Sequence, residues 1–192
     1  MSKRILVIQG HPDPAGGHFC HALAQAYLEA AREAGHEVRI VDVAHLNFPL
    51  LHSRAEWEKG SLPVGLMGPR LDLLWAEHLV FFFPLWLGTL PALLKGFLEQ
   101  VLRPDLVIQA GLTPWRKVLG GRSARLVVTM GMPAFWYRWV YFAHGLRGLE
   151  LNVLSFAGIR PIRESLVGLV ESPRCGHARW LARMAKLGQA GR

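Results

Sequence analysis

The segment LVFFFPLWLGTLPALL, from Leu79 to Leu94, holds no charged side chain in a chain of 192 residues of which 19% are charged. Such a run has to leave water, either into a bilayer or between layers of protein. A membrane-crossing helix needs about 20 predominantly apolar residues. This run is shorter, is interrupted by Pro84, Gly88 and Pro91, and is bounded by Glu77, His78 and Lys95. Proline inside a helix removes a backbone donor and clashes with the preceding turn. The segment therefore divides in two. Leu79 to Phe83 is predicted as a strand buried on both faces. Pro91 to Leu102 is predicted as a helix with proline in its first turn and Leu93, Leu94, Phe97, Leu98, Val101 and Leu102 on one face.

A strand covered on both faces needs helices above and below its sheet, and the remaining sequence supplies them. Arg4 to Ile8 is a second apolar strand ending at Gly10, followed by a glycine loop and a helix whose Phe19, Leu23, Ala26, Tyr27 and Ala30 recur at helical spacing before Gly35. His36 to Val43 reads as a strand, Ala44 to Pro69 as irregular, and Pro69 to His78 as a short helix. Arg103 to Arg122 is a long connection, and Ala124 to Met130 a further buried strand. Gly131 to Gly145 is aromatic and irregular, Leu146 to Phe156 helical, and the segment around Pro161 an edge strand. A basic helix spans Gly176 to Leu187. Alternating strands and helices of this kind predict one α/β domain over residues 1–192, a doubly wound five-stranded parallel sheet with helices on both faces.

Composition narrows the function less than the fold. The formal net charge of +8 favours anionic partners without specifying one. The basic residues are scattered and no recognition motif is present, so nucleic acid is not expected. Cys20 and Cys175 are far apart, which indicates neither a disulfide framework nor a zinc site and fits a reducing, cytoplasmic compartment. The N-terminal apolar run stops at Gln9, too short for a signal-peptide core.

In open α/β sheets ligands bind outside the C-terminal ends of the strands. Gly10 to Cys20, Pro84 to Leu90 and Thr129 to His144 fall there. The first, GHPDPAGGHFC, runs into a helix N-terminus, whose unpaired N–H groups and positive dipole end suit a phosphate; the alternative is an ordinary strand-to-helix turn. It is neither a Walker A loop nor a Gly-x-Gly-x-x-Gly fingerprint. His11, His18 and His21 lie close together, but only His18 and His21 share helical spacing and no carboxylate completes a ligand set, so no metal is expected. Cys20 at the helix start is a candidate for a lowered pKa or, alternatively, a packed thiol. There is no Gly-x-Ser-x-Gly elbow. In the second segment Trp86 offers a flat wall, with the N–H groups of Leu85 to Gly88 toward the edge of a planar ring; the alternative is that Trp86 and Leu87 cover the sheet edge.

Three stretches together, ILVIQGHPDP…HFCHALAQAYLEAAREAGHEVRIVDV, LNFPLL and VFFFPLWLGTLPALLKGFLEQVL, resemble the NAD(P)H:quinone oxidoreductase family of flavodoxin-like flavoproteins over most of residues 3–102. The resemblance implies a flavodoxin-like fold and a flavin held in a homodimer, accepting hydride from NAD(P)H and passing it to a quinone or similar acceptor. It implies that His11, Phe19 and Cys20 hold the flavin's phosphate end, with Gly17 and His18 adjoining, and that Pro84, Leu85, Trp86 and Leu87 support the isoalloxazine. Thr129, Met130 and Gly131 match a ring-binding turn that usually reads Thr-Thr-Gly-Gly but here reads TMGM. Tyr137 and His144 match, the latter displaced by one residue, a Tyr and a His that assist hydride transfer. Chain length favours FAD, with FMN the alternative. A second reading is a regulatory or accessory protein of the same fold that docks on a membrane transporter or other partner. The charge, the FWYRWVYF stretch and the altered turn point that way, and a peripheral membrane contact would fit it.

Overall fold

The computed structural model describes residues 2–104 and 118–192, so most of the long connection expected over 103–122 lies outside the described residues. Five parallel strands form one sheet: β1 (Arg4–Gln9), β2 (Glu37–Asp42), β3 (His78–Pro84), β4 (Ser123–Thr129) and β5 (Ile162–Val167), in the order β2-β1-β3-β4-β5. In register, Ile5 stands beside His78, Phe81 beside Leu126, and Thr129 beside both Pro84 and Val167.

Every residue of β3 is buried, as its uninterrupted apolar sequence requires. Successive side chains point to opposite faces of a strand. Leu79, Phe81 and Phe83 enter one core layer, and Val80 and Phe82 the other. The first layer is completed by helices α3 (Met67–Trp75) and α4 (Ala92–Val101) and by the helical run 144–157. The second is completed by α1 (Phe19–Glu33) and the C-terminal helix His177–Gln189. The opening segment is thus a central strand, a turn and a covering helix. Among the described residues no helix is long and apolar enough to cross a membrane.

Two segments expected to be irregular contain short helices. Arg54–Lys59 (α2) begins where the Ser53 hydroxyl accepts the Glu56 N–H at 3.1 Å, and none of its residues is buried, so it carries no apolar period for a sequence reading to detect. Ala134–Trp139 buries only Tyr137. The run 144–157 includes a π-helical stretch, Leu149–Leu154, and ends at Gly158 with φ 101°, the left-handed geometry expected of a terminating glycine.

The C-terminal helix lies directly against α1. A Cβ at Gly188 would stand 2.2 Å from the Tyr27 carbonyl oxygen. Gly188→Ala must push the two helices apart, and overpacking of this kind costs typically about 1–3 kcal/mol. Chemical denaturation is expected to show that loss with an unchanged dependence on denaturant concentration. A variant as stable as the parent would mean the two helices are not held at this distance.

Candidate functional site

Chain direction across the sheet reverses between β1 and β3, because β2 lies on one side of β1 and β3 on the other. Loops leaving adjacent strand ends there diverge to opposite faces and leave a crevice. A cavity of about 620 Å³ occupies that position. The β1–α1 loop contributes His11, Asp13, Gly17, His18, Phe19 and Cys20. The turn after β3 contributes Pro84, Leu85 and Trp86, the end of β4 contributes Thr129, Met130 and Gly131, and the loop after β5 contributes Val170 and Glu171. A smaller cavity of about 300 Å³ lies beside α4 among Trp57, Leu98 and Phe156, with none of these loops around it.

One end of the larger cavity is built for negative charge. Gly16 and Gly17 both take left-handed backbone, φ 71° and 76°, which glycine adopts without a Cβ penalty and which turns the chain into α1. The N-cap residue, His18, makes no side-chain cap bond, so the first N–H groups of α1 remain available at the positive end of its dipole. The Asp13 N–H donates to His11 Nδ1 at 3.2 Å, so the proton of the neutral His11 ring belongs on Nε2. Burial, reinforced by His18 and His21, holds the His11 pKa down at about 4. His11 is therefore a neutral donor at ordinary pH. Burial raises the Cys20 thiol to about 12, and its Sγ lies 3.6 Å from Gln9 Oε1; it is a packed thiol rather than an activated one.

The other end is apolar and planar. Leu87 and Gly88 have φ 48° and 81°, forming a tight turn in which Trp86 and Thr89 exchange both backbone hydrogen bonds. The Leu85 N–H donates to the Thr129 carbonyl and the Trp86 N–H to that of Thr89. Of the four N–H groups expected to face a ring, only those of Leu87 and Gly88 are therefore left free of these bonds. Leu87 does not line the cavity; its side chain projects fully into solvent at the tip of the turn. The Met130 N–H is likewise used, donating to Val167, while a Cβ at Gly131 would meet nothing within 4 Å. In the TMGM turn Gly131 thus faces open space, and Met130 packs into the core.

Tyr137 is buried and lies outside the cavity lining. Its hydroxyl donates to the Gly88 carbonyl at 3.0 Å and accepts the Leu146 N–H at 3.3 Å, tying the Trp86 turn to the helix beyond it. Gly145 fits against the same turn, where a Cβ would stand 2.2 Å from the Gly88 oxygen. His144 starts that helix, exposed, with its ring 5.8 Å from Phe142. Sequence reasoning missed Asp13, Val170 and Glu171. The last two could have been found by applying the rule for C-terminal strand ends to β5, which is hydrogen-bonded to β4.

Residues 3–179 match the model of the flavodoxin-like fold family. A ribosyldihydronicotinamide dehydrogenase-like protein of Penicillium crustosum is 28% identical over 178 residues, which cover 79% of this chain and 64% of that protein, so this chain spans somewhat less than two thirds of its relative. The structure of an NAD(P)H:quinone oxidoreductase from Methanothermobacter marburgensis superposes with a TM-score of 0.81 at 24% identity, covering 98% of this chain and 96% of the other. An FMN-dependent NADH-azoreductase from Bacillus anthracis, in complex with FMN, superposes with a TM-score of 0.67 at 18% identity, covering 100% and 97%. With its order of strands and the extent of this match, the chain belongs to the flavodoxin-like fold family.

Proposed function

We propose that the chain is a flavin-dependent NAD(P)H oxidoreductase that passes a hydride to a quinone or similar acceptor. The observation that carries this reading is the two-ended cavity. Uncapped N–H groups and a neutral imidazole donor stand at one end, and the Pro84–Trp86 wall and the open face of Gly131 at the other. A phosphorylated molecule with a flat ring system satisfies both ends. When bound, a flavin supplies the hydride chemistry. The protein's part is to hold the phosphate on α1, to set the ring plane against Trp86, and to leave room at Gly131 for a close approach. FMN is better supported than the FAD suggested by chain length, because the Bacillus anthracis neighbour is an FMN complex and the anionic end is a single helix N-terminus.

The rim beside this cavity is rich in exposed apolar groups. Phe135, Trp136, Trp139, Tyr141 and Phe142 surround the 134–143 segment, and Leu87 projects nearby. Contiguous exposed apolar surface of this kind marks an interaction site. A second copy of the chain is its proposed cover, which gives a homodimer with the cavity at the subunit boundary and accounts for the FWYRWVYF stretch without a transporter. Sedimentation is expected to show a dimer that Trp139→Asp converts toward monomer; a parent protein that runs as a monomer at micromolar concentration removes this part of the proposal.

Purified protein is expected to bind FMN with a yellow absorption spectrum that bleaches on anaerobic addition of NADH or NADPH and returns with a quinone. Colourless protein that takes up neither FMN nor FAD would refute the redox reading.

Within this proposal Tyr137 is a positioning residue that acts through the Trp86 turn, and His144 on the rim is the group left to meet developing charge on the ring. Tyr137→Phe removes both hydroxyl bonds. A neutral hydrogen bond is worth about 0.5–1.5 kcal/mol, and leaving a buried partner unsatisfied costs about 1–3. Stopped-flow reduction is expected to slow by roughly tenfold, a change of about 1.4 kcal/mol, with flavin affinity falling in parallel because the wall itself has loosened. A slower reduction at unchanged affinity would instead place the hydroxyl in the chemistry.

A further inference from the structure

Three imidazoles gather behind the anionic end of the cavity. The His11 and His18 rings stack at 4.0 Å with an interplanar angle of 16°, and His21 stands 4.9 Å from His11 and 5.7 Å from His18. His11 and His18 line the cavity, whereas His21, on the first turn of α1, sits behind them. Among the described residues no group of three or more His, Cys, Asp or Glu side chains is arranged to hold a metal ion. The stack therefore calls for another account.

Each ring differs in its freedom to take a proton. On His11, Nδ1 accepts the Asp13 N–H, so protonation there would cost that bond. His18 Nε2 lies 2.7 Å from Asp13 Oδ2, a carboxylate ready to accept from it. His21 Nδ1 is buried and has no hydrogen-bond partner, so that site is free to take up a proton. Every group facing the stack is identifiable. Asp13 belongs to its own loop, Asp42 and His45 come from the end of β2, where they pair at 3.0 Å, and Glu171 comes from the loop after β5. The carboxylates Asp13 and Asp42 favour a proton on the rings, and burial opposes it. Burial is the larger effect for both His11 and His21, whose pKa values are lowered in consequence.

We infer that the His11–His18–His21 stack is a proton-linked phosphoryl subsite, in which binding of a phosphate group at the start of α1 is accompanied by proton uptake onto the stack. The inference rests on the flavin reading for the identity of the phosphate's bearer, but not for its chemistry. An anion in front of the stack favours the charged form of the rings behind it and raises their pKa values. Because the ring centroids lie only 4.0 to 5.7 Å apart, the uptake belongs to the group as a whole and is not assigned to one residue. The sign of the linkage follows. With pKa values higher in the complex than in the free protein, affinity for a phosphorylated ligand rises as pH falls toward the free-protein values. A ligand without phosphate gains nothing.

The test follows the histidine ring protons by NMR from about pH 3.5 to 7, on the full chain, with and without saturating inorganic pyrophosphate or FMN. The stack's titration is expected to move upward by about one pH unit with either ligand. Riboflavin, which lacks the phosphate, is expected to leave the stack unmoved. As pH falls from 7 toward the free-protein values, the preference for FMN over riboflavin is expected to grow, by at most about tenfold in all for a one-unit rise. His21→Gln, which does not touch the cavity, is expected to flatten that growth; the ligand's own phosphate titration is common to both proteins and cancels in the comparison. The inference is overturned if neither pyrophosphate nor FMN moves the stack, if riboflavin moves it equally, or if the variant keeps the full pH dependence. If pyrophosphate moves the stack and no flavin binds, it is the redox reading that falls.

Discussion

The structure depends on the burial of β3 from both sides. Its five side chains from Leu79 to Phe83 divide between two core layers, each of which must be closed by helices. Burying a large apolar side chain stabilises a fold by about 1.5–3 kcal/mol, so Phe81, Phe82 and Phe83 together form one of its strongest local commitments. A strand so committed cannot sit at an edge. It is flanked by β1 and β4, and the chain leaves β1 into α1 on one face of the sheet and leaves β3 into α4 on the other. The crevice at the ends of β1 and β3 follows from that arrangement. The cavity is a consequence of how the most apolar segment is hidden, not a feature added to a finished sheet.

The two ends of the cavity are made from different physical materials for the same reason. After β1 the chain loops through Gly16 and Gly17 and brings the start of α1 to the cavity, which so inherits unpaired N–H groups and a positive dipole end. At the end of β3 the chain first makes a tight turn, and only then enters α4 through Pro91. The turn spends two of its N–H groups internally and offers a hydrophobic surface instead. His11 links the two, stacked on His18 on one side and 6.3 Å edge-on from Trp86 on the other.

Much of this was legible in the sequence because the governing signals are local. The apolar run of β3, the helical period of α1 and the glycines before it fix strand, helix and loop without reference to the rest of the chain. Of the residues expected to hold a cofactor, all but Leu87 line the cavity, while Tyr137 and His144 lie outside its lining. Leu87 stands apart because a side chain at the tip of a turn with positive φ points away from the surface its neighbours form. The missed helix Arg54–Lys59 has no buried face and hence no period, whereas Glu171 follows the end of β5, a predicted strand whose C-terminal end was not counted among the ligand-facing loops. The roles of individual polar groups were the least legible. Whether Cys20 is activated or packed depends on burial, and whether the Tyr137 hydroxyl is free depends on a contact 49 residues away in the chain.

The Leu87 turn shows how those scales connect. A non-glycine residue in the left-handed region costs about 1–2 kcal/mol, and a fully exposed leucine recovers none of that by burial within this chain. The turn nevertheless holds its shape, because Trp86 and Thr89 close it with paired hydrogen bonds, Tyr137 anchors its Gly88 carbonyl, and Gly145 allows the next helix to approach. Strain that is held in place by so many separate contacts is found where a surface must be kept rigid for something outside the chain. Here that surface is the wall of the cavity on one side and an apolar rim on the other. A ligand in the cavity and a second subunit on the rim would therefore meet the same turn, and the contacts that fix it for one fix it for both.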